Sequence, residues 1–376
     1  MRKIPLRDQY NSIGIDVEWN TVTYVDKCLR MYKENMELFD FTDMLESFPK
    51  EGQSNCPNFD LCFVDEAQDL SPIQWDIAHI IDEKSDRMYC AGDDDQAIYR
   101  WAGADVEHFI NLEGGSETLY QSYRVPFEIH KLAERVVYRI KKRFLKEYKP
   151  KADVRGSIRR IFGVEEIDMS EGSWLILAQA GYQLNPVAGE LRSSGYLFNN
   201  RGHRSISENI SDAVNGWEQL RKGKEVNGAV ARKIYSFMST KDRVARGFKK
   251  LTSVEDTDLL DLKALTADHG LLATEDMVWH VAMDRMPESE RAYIIAMLRR
   301  GERFNGEPRI TVSTIHGAKG GEADNVVLFT DLSPASEEQM TINPDDMHRV
   351  FYVGVTRAKE NLFIVEPEDF TRSYNL

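Results

Sequence analysis

The chain has 376 residues, 42% hydrophobic and 29% charged, with 48 Lys and Arg against 62 Asp and Glu and a formal net charge of −14. At roughly 150 residues per domain this length suits two or three packed domains, and the acidic balance excludes a protein that coats a polyanion through bulk positive charge. No apolar run approaches the roughly 18 residues of a membrane span, and Met1-Arg2-Lys3-Ile4-Pro5 leads into polar sequence without a signal-peptide core, so we expect a soluble, cytoplasmic protein.

Along the chain, short apolar runs alternate with helical patterns, as in a parallel α/β sheet. Leu61–Val64, Met88–Ala91 and Thr118–Tyr120 read as strands. The basic stretch 131–149 reads as a helix starting after Pro126. Trp174–Ala178 is a further strand. From 204 to 305 strand-like runs are few, and amphipathic patterns at Ile210–Leu220, Ala229–Met238, Asp258–Leu265 and Arg291–Leu298 indicate a helical insertion. The strand pattern resumes near Arg309 with Ile310–Ser313, Val326–Phe329 and Leu362–Val365.

Charge is distributed in blocks. Residues 34–69 carry ten acids and one base, residues 131–160 twelve bases and three acids, and residues 221–250 ten bases and two acids. Such runs usually form solvated helix faces, and a basic block also suits a polyanion's backbone. The cysteines Cys28, Cys56, Cys62 and Cys90 form no C-x-x-C pair, which argues against a zinc ribbon, and buried, reduced thiols are expected.

In open α/β sheets, ligands bind beyond the carboxyl ends of strands. The first strand runs into Asp65-Glu66-Ala67-Gln68-Asp69. An apolar strand ending in adjacent acids is the layout of a Walker B site, where one carboxylate holds Mg²⁺, usually through water, and the next deprotonates an attacking water. Alone, the same pattern fits a strand entering a helix N-terminus equally well.

The segments farther along the chain are more specific. Ala91-Gly92-Asp93-Asp94-Asp95-Gln96-Ala97-Ile98-Tyr99-Arg100-Trp101-Ala102-Gly103 comes after the second strand, and Tyr120-Gln121-Ser122-Tyr123-Arg124 after it. Far downstream stand Thr314-Ile315-His316-Gly317-Ala318-Lys319-Gly320-Gly321-Glu322 and Tyr352-Val353-Gly354-Val355-Thr356-Arg357-Ala358. In this order the segments resemble the motor motifs of UvrD/Rep-type superfamily 1 DNA helicases over roughly residues 40–205 and 309–366.

The resemblance implies an α/β fold of two RecA-like parallel-sheet motor domains, the first incomplete, with the helical insertion in the second. The implied boundaries are 1–115 for the first, 116–203 with 306–376 for the second, and 204–305 for the insertion. It implies an ATP-dependent helicase or translocase, with 3′ to 5′ polarity, whose motor domains close around Mg·ATP. Its cofactors are then ATP and Mg²⁺, and its partners single-stranded DNA and single/double-strand junctions.

By the same resemblance, Asp65 is the magnesium carboxylate, Glu66 the catalytic base and Gln96 the γ-phosphate sensor. Arg124 and Arg357 are the arginines that stabilise charge in phosphoryl transfer. Tyr123 stacks on the adenine, and Gly320 and Glu322 lie at the nucleotide. Tyr99, Arg100, Trp101, Thr314, His316 and Lys319 contact DNA, the rings by stacking on unpaired bases. Ala102, Gly321 and Ala323 depart from residues common in that family.

A phosphate-binding G-x-x-x-x-G-K-[ST] loop does not occur in this sequence. The segment Asp40-Phe41-Thr42-Asp43-Met44-Leu45 already resembles the stretch shortly before the acid pair, and in the family that loop lies well upstream. We therefore expect the chain by itself to hydrolyse ATP poorly, the loop being supplied by a separate polypeptide or lost to a truncated reading frame. The alternative is a non-hydrolysing DNA-binding or regulatory subunit that keeps the fold.

Overall fold

The computed structural model describes residues 3–14 and 16–376. They form two compact units. One comprises the residues up to Arg155 with Pro334–Thr356 and Leu376, the other Gly156–Ser333 with Arg357–Asn375. Among the described residues no helix is long and apolar enough to cross a membrane.

In the first unit, β1 (Cys62–Val64) and β2 (Met88–Cys90) pair in parallel with Phe63 opposite Tyr89. Side chains alternate across a strand. Phe63 and Tyr89 therefore share the open face, their rings stacked at 5.5 Å, while Val64 and Cys90 pack on a small cluster of Ala67, Trp75 and Ala78. The helix Pro72–Asp82 follows from local signals, with Ser71 and Gln74 forming a capping box and proline in the first turn. Its buried face is Ile73, Trp75, Ala78 and Ile80.

The helix Phe127–Val137 buries Ile129, Leu132, Ala133, Val136 and Val137 and packs on the helix Pro344–Val355. It ends at Val137, twelve residues short of the expected 149. Beyond it the main-chain N–H groups go to carboxylates: those of Lys141 and Lys142 to Asp345, and that of Phe144 to Asp94. The segment's donors are thus satisfied without a helical ladder. The strand expected at Thr118–Tyr120 is also absent, leaving one isolated bridge between Gln121 and Lys149.

The second unit has β3 (Ser157–Ile161), β4 (Trp174–Ala178), β5 (Phe198–Asn200), β6 (His203–Arg204), β7 (Val226–Asn227), β8 (Leu259–Leu260), β9 (Ile310–Thr314), β10 (Ala323–Phe329) and β11 (Ala358–Val365). Seven of these form one sheet in the order β3-β11-β10-β4-β9-β5-β6. Every pairing is parallel except β5 with β6. β4 lies inside the sheet and all five of its residues are buried, which accounts for its unbroken apolar sequence. Between β6 and β9 most of the regular structure is helical, with helices Glu208–Arg221, Gly228–Ser236, Leu262–Asp268 and Glu288–Arg300. The helix expected over Asp258–Leu265 starts only at Leu262, because Leu259–Leu260 pairs with β7 as β8. The α/β class with parallel sheets agrees with the expectation from sequence.

The cysteines do not. Cys28 is exposed and Cys56, Cys62 and Cys90 are only half-buried. Cys28 lies on a helix, Trp19–Met36, that buries none of its residues, and Cys62 and Cys90 lie on a sheet of just two strands.

Candidate nucleotide and DNA site

Beyond β1 the chain turns sharply at Glu66, whose φ of 51° and ψ of 37° are left-handed, a conformation uncommon outside glycine. The Glu66 N–H donates to Asp65 Oδ1 at 2.9 Å. Both acids are exposed. The second Asp65 oxygen takes no hydrogen bond among the described residues, so this carboxylate fits a hydrated Mg²⁺.

Gln68 ties this turn to the next strand end. Fully buried, it donates from Nε2 to Glu66 Oε2 at 2.5 Å and accepts from the Asp93 N–H at 3.0 Å. A Cβ on Gly92 would collide with Gln68 Oε1, so glycine is required there by close approach. Sequence alone gives Gln68 no role. The available signal is a polar residue inside the DEAQD run, but pairing with Asp93 depends on β1 and β2 lying side by side.

Gln96 ends a single turn, Asp94–Gln96, and its Nε2 donates to Asp93 Oδ2 at 2.7 Å. Asp93, Gln96 and Arg124 line one cavity of about 2060 Å³, together with Ser122 and Tyr352. That is about twice the upper range for small-molecule pockets, roughly 300–1,000 Å³. Asp65 and Glu66 are not among its lining residues, and neither is Tyr123, which is 85% exposed.

Tyr99 and Trp101 have ring centroids 6.5 Å apart, tilted by 58°. Trp101 is 69% exposed. Tyr99 is half-buried, and burial pushes its phenol pKa up, helped by the charges of Asp69 and Glu66. Arg100, between them, meets Asp346 at 3.4 Å. The first unit thus brings Gln96 and Tyr99 near the acid pair, with Trp101 beside Tyr99, and sets Arg124 on the wall of the cavity that Gln96 also lines.

The acids Asp93, Asp94 and Asp95 converge closely enough to resemble a cation site, but the protein's own cations fill it. Lys146 Nζ contacts all three, at 3.1 Å for Asp93 and 2.9 Å for Asp95. Arg143 grips Asp95 with two parallel bonds of 2.8 and 2.6 Å. Burial pushes the Asp95 carboxyl up while Arg143 pulls it back. Arg143 and Lys146 of the basic block are therefore committed internally rather than to solvent or a polyanion. Opposite charges fifty residues apart give no local pattern, so sequence does not show this.

In the second unit, β9 ends at Thr314, and the loop after it closes on itself. Gly317 N–H donates to Thr314 Oγ1 at 3.1 Å, and the Lys319 N–H to the His316 carbonyl at 3.3 Å. Gly320 takes φ 82°. Arg357, only 1% exposed, donates to the Gly321 carbonyl at 3.3 Å, and Ala323 N–H donates back to the Arg357 carbonyl at 3.1 Å. Glu322 lies 3.7 Å from Lys359. Thr314, His316, Lys319, Gly320, Glu322 and Arg357 therefore share one loop cluster at the end of β9.

Comparison with known proteins agrees. Residues 6–115 match the UvrD/REP helicase N-terminal domain and residues 283–368 the UvrD-like helicase C-terminal domain, together more than half of the chain. A probable DNA helicase II homolog of Rickettsia conorii is 24% identical over 83% of this chain and 62% of its own length. A putative ATP-dependent DNA helicase YjcD of Bacillus subtilis is 28% identical over 38% of this chain and 20% of its own length. The ATP-dependent DNA helicase PcrA of Leuconostoc citreum is 30% identical over 25% of this chain and 13% of its own length. The chain spans about three-fifths of the Rickettsia relatives it matches along most of its length. With both family domains present and in order on parallel α/β sheets, this chain belongs to the UvrD/Rep-type superfamily 1 helicases.

Proposed function

We propose that the chain is the larger part of an ATP-dependent DNA helicase or translocase that moves 3′ to 5′ on single-stranded DNA. Its motor domains are residues 1–115 and 116–203 with 306–376, the latter interrupted by the insertion 204–305, and of the second domain the segments 116–155 and 334–356 pack within the first compact unit. Asp65 holds the hydrated magnesium of Mg·ATP, and Glu66 takes the proton of the attacking water. Gln96 reads the γ-phosphate, and Arg124 and Arg357 offset the charge that spreads during transfer, a task worth roughly 10³–10⁵ in rate for such arginines. Tyr123 stacks on adenine, with Gly320 and Glu322 beside the nucleotide. Tyr99 and Trp101 stack on bases, and Arg100, Thr314, His316 and Lys319 bind the strand.

The observation that carries this reading is the hydrogen-bonded run Glu66–Gln68–Asp93–Gln96, which joins the acid pair to the candidate sensor at the wall of one cavity. The cavity's size and the open Phe63–Tyr89 face favour one further element. Parallel sheets are normally covered on both faces, and Phe63 is 72% exposed. We propose that a polypeptide segment bearing the phosphate-binding loop, in cis or on a separate chain, covers this face.

The test is binding of a fluorescent single-stranded oligonucleotide followed by anisotropy across a salt titration. The reading predicts binding that is indifferent to base sequence and weakens as salt rises. No binding to single strands at low salt would overturn it.

A further inference from the structure

The deepest ionic cluster in the first unit links the Gln96 turn to the helix Pro344–Val355. Arg349 is fully buried on that helix. Its Nε donates to the Asp94 carbonyl at 2.8 Å, and Nη2 donates to the Lys142 carbonyl. The same helix begins with Asp345, which accepts the N–H groups of Lys141 and Lys142 at 3.0 Å each. The 141–146 segment then returns to the turn: Phe144 N–H to Asp94 Oδ2 at 2.8 Å, Arg143 to Asp95, and Lys146 to all three aspartates. Asp93, Asp94 and Asp95 are thus paired by Arg143 and Lys146, while the carboxylate that Arg349 meets is Asp346, at 3.8 Å on its own helix. In sequence, the helix carrying Arg349 runs directly into Thr356 and Arg357.

A buried cluster of this cost is weak evidence for stability alone, since apolar packing often does as well. What it supplies is a unique geometry. An arginine fork that bonds two main-chain carbonyls fixes backbone rather than side chains. The Asp94 carbonyl that Arg349 holds is the one that accepts the Ala97 N–H across the Gln96 turn. Gln96 is thus set by bonds that do not involve a nucleotide.

We propose that Arg349, with Arg143 and Lys146, is a positioning residue that locks the Gln96 turn to the helix leading into Arg357, so that turn and helix move as one body. The purpose of the lock rests on the reading of Gln96 as the nucleotide sensor. The lock itself does not.

Amide hydrogen exchange on the full chain tests it. Arg349→Lys keeps the charge and loses the fork. Exchange at Asp95, Gln96 and Ala97 should rise about tenfold or more, with β9, β10 and β11 unchanged. Unchanged exchange at the turn in a folded variant overturns the proposal, as does a uniform rise throughout the chain, which marks a merely structural residue. If Arg349→Lys does not fold, Arg143→Lys, which loses one of the two bonds to Asp95, should give the same local rise. Failure of both variants to fold also overturns it. Gln96→Ala separates the two ideas: if Mg·ATP changes the single-strand affinity of the original chain and changes that of Gln96→Ala equally, the sensor reading fails while the lock stands.

Discussion

Gln68 holds Glu66 by a 2.5 Å hydrogen bond from its amide nitrogen, while its oxygen accepts the Asp93 N–H. Two strand ends that each carry acids are thereby fixed to one buried amide. Gln68→Leu keeps the bulk and strands the Asp93 N–H. The expected loss is about 1–3 kcal/mol of stability, measured by urea denaturation. Gly92→Ala should also destabilise, because its new Cβ meets Gln68 Oε1. In Gln68→Ala that clash disappears, so the double variant should lose less than the sum of the two single losses. Strict additivity would show that Gly92 and Gln68 do not constrain each other.

The buried ion pair of Arg143 and Asp95 predicts an asymmetric outcome. Arg143→Met leaves Asp95, nearly sealed from solvent, with Lys146 as its remaining cation, and should destabilise by less than the roughly 3–5 kcal/mol of a buried charge with no partner. Arg143→Met with Asp95→Leu should cost less than Arg143→Met alone. A double variant no better than the single one would mean that the pair is not the source of the loss.

Two histidines of the first unit set a pH dependence. His108 has its pKa lowered by burial and then by neighbouring His79, whose Nε2 lies 3.1 Å away, against a weaker pull from Asp105. His348 is lowered by burial and by Arg139 and Arg349, against Asp345. Each therefore binds its proton less readily folded than unfolded. The unfolded chain takes up more protons between the folded values and about pH 6.5, so stability rises with pH across that window. It should be fully present above about pH 6.5 and be lost as pH falls through the folded pKa values. The thermal midpoint should fall on acidification from about pH 7.5 to 5.5, and His108→Gln should flatten that slope. An unchanged slope would exclude His108 as a cause.

Exposure separates the two candidate stacking rings. Trp101 is mostly in solvent, so Trp101→Ala should weaken single-strand binding by about 1–3 kcal/mol, roughly 5- to 150-fold, with the denaturation midpoint unmoved. Tyr99 is half-buried, and Tyr99→Ala should lower both affinity and stability. Unaltered affinity in the double variant would assign these rings to packing.

Legibility in the sequence depends on where each residue finds its partner. β4 is legible residue for residue, because a strand inside a sheet must be apolar throughout. β3 is not. It pairs only with β11 at the sheet's edge, so Arg159 and Arg160 stand exposed and make the segment look like more of the basic block. The helix expected through 149 stops at Val137 because Asp345 and Asp94 capture the main chain beyond. The order of the motor motifs carries the family. Gln68 and Arg349 stay silent, because each acts through a carbonyl, carboxylate or N–H that only the folded chain brings near.

On the proposed function, this sequence holds the acids, sensor and arginines of a nucleotide motor without the loop that cradles the phosphates. Turnover of Mg·ATP by the purified chain in the presence of single-stranded DNA probes that combination most directly. Turnover close to background is expected. Robust turnover that disappears in Glu66→Gln would contradict the claim that the phosphate-binding loop comes from a further segment, placing a complete phosphate cradle within these 376 residues.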